Sequence, residues 1–143
     1  MRYLVATDGS EEADAAVRYA AAQAVAFDAT LEVVHVLTPE TELIDGEIVL
    51  PGGNRAIELG EGTLQQARQL AADVAAQRDD ELDVETQLLT GSPANAIVER
   101  SREADADAIY VGHRGLSEER EQVVGSVAKS VVDKATVPVT VIR

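Results

Sequence analysis

Cysteine is absent from the 143-residue chain, which excludes disulfides, thiolate metal sites and cysteine nucleophiles together. Long apolar runs are absent too. No stretch approaches the ~20 residues that cross a bilayer, and Met1 leads straight into a strand pattern rather than a charged, apolar and small-residue leader. A cytoplasmic protein is expected, with one domain spanning residues 1–143. Lysine is scarce: ten of the twelve basic residues are arginine, set against 26 acidic residues for a formal net charge of −14. Such a surface repels nucleic acid and anionic membranes, so neither is expected as a partner. It also fits a salty cytoplasm, where a Debye length of about 3 Å at 1 M salt makes self-repulsion tolerable. An ordinary acidic protein is the alternative.

What is present is an alternation of short apolar runs and helical patterns. Residues 2–7 (RYLVAT) read as a strand ended by the turn cluster Asp8-Gly9-Ser10. Ser10 is a candidate N-cap for a helix reaching about Phe27, with Glu11, Glu12 and Asp14 in its first turn and Ala13, Val17, Ala20, Ala24 and Phe27 on its inner stripe. Residues 30–37 (TLEVVHVL) give a second strand. Residues 38–53 read as a long loop, a candidate flap. A helix then covers about 54–78, weakened at its start by Gly60 and Gly62. Residues 82–90 alternate apolar and polar as an edge strand, and Ser92-Pro93 opens a third helix with a capping hydroxyl and a proline at its first position. Residues 106–111 read as a central strand, residues 126–134 as the last helix, and residues 137–142 (VPVTVI) as an edge strand, because Pro138 cannot donate to a ladder. This β-α repetition implies an α/β fold with a parallel sheet and helices on both faces, and ligands in such sheets sit beyond the carboxyl ends of the strands.

Three familiar anion or phosphoryl sites are missing. There is no G-x-x-x-x-G-K-[ST], no G-x-G-x-x-G after the first strand, and Thr90-Gly91 stands where a receiver domain needs a phospho-accepting aspartate. The two histidines, His35 and His113, have no acidic partner at a metal-binding helical spacing, and no catalytic triad can be assembled. What remains is Gly112-x2-Gly115-x9-Gly125-Ser126, set between a strand and a helix start, where glycines and unpaired amides favour an anion.

With this motif, the opening LVATDGSEEADAAV and the closing GSVAKSVVDKATVPVTVIR, the chain resembles the nucleotide-binding universal stress proteins along its whole length. The resemblance implies an open five-stranded parallel sheet, Rossmann-like, in the order 3-2-1-4-5. It implies ATP, ADP or AMP as ligand, with Mg²⁺ carried by the phosphates rather than by a protein metal site. Asp8 would hold the ribose hydroxyls, and Val36, with the backbone of Ala6 and Thr7, would line the adenine slot. Val111, Gly112 and Gly115 would bring backbone to the ligand, Arg114 would meet phosphate, and Gly125, the Ser126 hydroxyl and the Val127 amide would complete the anion site. Each has a plainer rival: Asp8 as a turn former, Val36 as core, Ser126 as a cap. Between the glycines, Glu118, Glu119 and Glu121 oppose an anion unless they face solvent or recruit a cation. The expected function is a nucleotide-dependent stress or signalling switch that dimerises through residues 137–142. The alternatives are a slow ATPase or autophosphorylating enzyme, with Ser117 or Ser126 as acceptor, and a chaperone-like module that makes no use of nucleotide.

Overall fold

Alternation inside single strands decides which helices lie on which side of the sheet. In β1 (Arg2–Ala6), Tyr3 and Val5 face one core while Leu4 faces another. In β2 (Thr30–Leu37), Leu31 and Val33 join the first and Val34 the second. The first core is filled by α1 (Glu11–Phe27) and α2 (Asn54–Gln77), the second by α3 (Pro93–Glu103) and α4 (Ser126–Lys134). Helices therefore cover both faces, as a parallel sheet requires. The computed structural model describes residues 1–38, 42–44, 46–49, 53–114 and 124–143.

The main sheet is completed by β5 (Val84–Thr90), β6 (Ala108–Gly112) and β7 (Val139–Ile142), all paired in parallel in the order β5-β2-β1-β6-β7. Among these five the order is 3-2-1-4-5, as expected. The edges fall on β5 and β7, also as expected. Residues 38–53 are not one structureless loop: β3 (Glu42–Ile44) and β4 (Glu47–Val49) pair antiparallel around Gly46, whose φ of +81° suits a glycine at the turn. Strands of three residues are too short for alternation to announce them.

Helix starts follow local chemistry. Ser10 caps α1, its Oγ accepting from the Ala13 amide at 3.1 Å, with Glu11, Glu12 and Asp14 in the first turn. Phe27, placed by periodicity on the inner stripe, is instead 59 % exposed at the last residue of the helix. Ala16 and Ala21 are buried beside Ala13, Val17, Ala20 and Ala24, and these small side chains let α1 lie close on the sheet. Ser92 precedes α3 without a side-chain cap bond; Pro93 at the first helical position sets the backbone there. α2 runs unbroken through Gly60 and Gly62. Gly60 faces β2 and β5 closely: a Cβ there would stand 2.8 Å from Leu88 Cδ1, so that side-chain tip would have to shift.

At the amino end of the sheet, Glu32 is 1 % exposed on β2. Arg100 from α3 grips it with two bonds of 2.7 and 2.9 Å, and Arg2 adds a third of 3.0 Å. A buried carboxylate persists when paired and hydrogen-bonded in this way. Its pull, with desolvation opposing, holds the Arg100 guanidinium above its ordinary range.

Candidate functional site

The sheet changes direction between β1 and β6: β2 follows on one side of β1, whereas β6 and β7 lie on the other. A crevice outside the carboxyl ends of those two strands is where such a sheet accepts a ligand. Its first wall is the turn after β1. The Thr7 amide extends the ladder to Val34 O at 2.9 Å, Thr7 Oγ1 accepts from the Gly9 amide at 3.1 Å, and Asp8 Oδ1 accepts from the Ser10 amide at 3.0 Å. Gly9 holds φ at +83°, which a side chain would resist. The turn-forming role of Asp8 is thus visible. A carboxylate with about four acceptor sites retains capacity beyond that bond.

His35 Nδ1 lies 2.7 Å from Thr7 O. A carbonyl only accepts, so Nδ1 carries the proton. The end of β2 is thereby tied to the turn. Val36, Ala6 and Val111 all belong to the core beneath α3 and α4: Val111 is buried, and the other two are partly buried against it. Their side chains are occupied by packing, so what they offer a ligand is backbone or a single apolar surface.

The second wall is built from the end of β6. The His113 amide donates to Ile142 O at 2.8 Å, fastening β7, and its carbonyl accepts from the Gly125 amide, fastening the start of α4. Gly125 is the N-cap of α4, in place of Ser126. Its amide is spent on His113. Ser126 and Val127 are exposed in the first turn of the helix, ahead of the first intrahelical bond from the Lys129 amide to Gly125 O. The amides of such a first turn point away from the helix and favour an anion.

Gly112 and Arg114 each have a partner on α1. A Cβ on Gly112 would stand 3.1 Å from both C and O of Glu12 and 3.3 Å from the Ala13 amide. The missing side chain therefore lets α1 approach β6, whatever ligand lies above. Arg114 Nη2 lies 2.7 Å from Glu12 Oε1, so the cation assigned to phosphate is engaged by a carboxylate of α1. Sequence spacing gave no warning, because Glu12 and Arg114 are joined only by the β1–β6 pairing. Nearby, burial chiefly raises the Asp14 carboxyl above its ordinary range; Arg18 opposes this, while Asp8 and Glu11 add to it. Gly115, Ser117, Glu118, Glu119 and Glu121 lie outside the described residues. Among the described residues, no group of three His, Asp or Glu side chains is placed to hold a metal, and no helix is long and apolar enough to cross a membrane.

The model of the Universal stress protein family matches residues 1–143. A Thermus aquaticus universal stress protein is 34 % identical over 140 residues, covering 98 % of this chain and 96 % of the relative. A solved universal stress protein from Archaeoglobus fulgidus in complex with dAMP is 29 % identical, covers 100 % of this chain and 98 % of its own, and gives a TM-score of 0.74. A second universal stress protein, solved in complex with cAMP, is 25 % identical, with coverage of 100 % and 96 % and a TM-score of 0.73.

Proposed function

Because this chain belongs to the universal stress protein family, we propose that it is a cytoplasmic protein that binds ATP, ADP or AMP in the crevice between β1 and β6 and serves as a nucleotide-dependent switch in a stress response. The observation that carries the reading is that the adenine-nucleotide complexes align with it along its full length, while its own turn follows the carboxyl end of β1 and the start of α4 is bonded to His113, just past the carboxyl end of the neighbouring β6. Asp8 accepts from the ribose hydroxyls, and Ala6, Thr7, Val36 and Val111 border the base with backbone and apolar surface. The first turn of α4, with Ser126 and Val127, receives phosphate, and Gly112, Gly115 and Gly125 shape the loop that leads there. Mg²⁺ enters with the phosphates. Binding selects one arrangement of the surrounding loops and stabilises the folded chain by linkage.

Isothermal titration with AMP, ADP and ATP tests the reading. Saturable binding, weakened at least tenfold by Asp8→Ala and several-fold by Ser126→Ala, is expected. No heat above dilution with all three nucleotides would overturn it.

The same proposal includes a homodimer through β7, the edge strand that follows Pro138. Val124, Lys129, Val132, Asp133 and Val141 line a depression beside that edge, and Val132 is exposed there, which suits a second copy better than water. Sedimentation should give a dimer at micromolar concentration; a monomer would exclude it. The acid excess is read as adaptation to salt, so the melting temperature should climb between dilute and molar KCl. A flat profile would remove that part.

A further inference from the structure

The ion pair between Glu12 and Arg114 links the two walls of the crevice. The guanidinium and the carboxylate are 18 % and 20 % exposed and 2.7 Å apart. The backbone of Glu12 is seated against Gly112, two residues before Arg114, so closely that a Cβ there would stand 3.1 Å from it. Glu12 is therefore held at the end of β6 by packing as well as by charge. The start of α1 is acidic, with Glu11, Glu12 and Asp14 in its first turn, and Asp8 and Glu11 act on Asp14 as like charges with Arg18 as its counter-charge.

We infer that Glu12 is a specificity-determining residue: by occupying Arg114 it limits how much phosphate charge the crevice rewards, and so favours nucleoside monophosphates over triphosphates. The inference rests on the nucleotide-binding reading above. Paired with Glu12, Arg114 adds almost no net positive charge to the site. A terminal phosphate brings about two negative charges near neutral pH. Each further phosphate then adds repulsion from the acidic first turn of α1, and Arg114, already paired, offsets little of it. The effect is greatest at low ionic strength, where charges several ångströms apart still interact.

The test is a double-mutant cycle read by isothermal titration of AMP and ATP into wild type, Glu12→Gln, Arg114→Gln and the double variant, in dilute buffer with a chelator. Gln at position 12 keeps a carbonyl oxygen for Arg114 but removes the charge. It should raise the ATP-to-AMP affinity ratio about tenfold, the size expected for one charge-assisted hydrogen bond. Arg114→Gln, which leaves Glu12 bare, should lower the ratio, and the double variant should return near wild type. A ratio that changes less than twofold in both single variants, while AMP still binds wild type, overturns the inference and leaves the nucleotide-binding reading standing. If none of the four proteins binds either nucleotide, both fall. Melting curves of the four proteins confirm that each folds, and the two single variants test the inference independently of one another.

Discussion

The two ends of the sheet each carry a glutamate gripped by arginine, and they use the same chemistry to opposite ends. At the amino end, Glu32 is sealed between β1, β2 and α3, with Arg2 and Arg100 on its two oxygens. At the carboxyl end, Glu12 and Arg114 meet at the mouth of a crevice, each with part of its surface in water. A sealed carboxylate depends on both partners because water cannot replace them. A pair at the mouth is partly hydrated, so losing one partner costs less than it does in the sealed site. The comparison teaches that burial, rather than the identity of the residues, separates a charge pair that holds the fold from one that sets the charge at the mouth of the crevice.

The sharpest way to break the comparison is Glu32→Gln. It leaves two guanidinium groups facing a neutral amide and should cost about 3 kcal/mol, read as a lower urea midpoint with an unchanged slope. Glu12→Gln should cost less than about 1 kcal/mol in the same experiment. Equal losses would erase the distinction between the two ends. Next in size is Gly112→Ala, whose new Cβ would meet the backbone of Glu12; a loss of about 2 kcal/mol is expected, because backbone cannot give way as a side-chain tip does. Gly62→Ala should act in the opposite direction. No atom lies within 4 Å of its Cβ position in α2, and the exchange should add roughly 0.5–1 kcal/mol of stability, seen as a higher melting temperature.

Smallest is Asp14→Asn, which probes the carboxyl end alone. Asp14 holds its proton more tightly when folded than when unfolded. Its contribution to stability is therefore fully present below the ordinary aspartate range and is lost as pH rises through the raised folded value. The Asn variant should melt a little higher than wild type at neutral pH, and the two curves should converge in acid. A gap that widened on acidification would contradict the assignment.

Much of the fold was legible because each strand announces itself twice, once by β-branched apolar residues and once by the turn chemistry that ends it. The order of the five parallel strands followed from the family resemblance rather than from any pattern within them. The β3–β4 hairpin was not legible, because two strands of three residues contain no full period. Phe27 was misplaced because a stripe extrapolated to the last residue of a helix runs past the sheet it was packing on. At the site, the capping by Ser10 and the glycine turn at Gly9 could be read locally. The link from Glu12 to Arg114 could not, since it exists only once β1 and β6 are neighbours. Glu32 did leave a signal: a single carboxylate inside the apolar run of β2 has to be either exposed or paired.

His113 has a further consequence for how this protein can be altered. Its two backbone groups clamp β7 through Ile142 and the start of α4 through Gly125, so residues 113 and 125 are fastened to each other whatever chain connects them. With those two ends fixed, lengthening the chain between them adds a closure entropy that grows only by about 0.6 kcal/mol per doubling, so an insertion there should leave the sheet as it is.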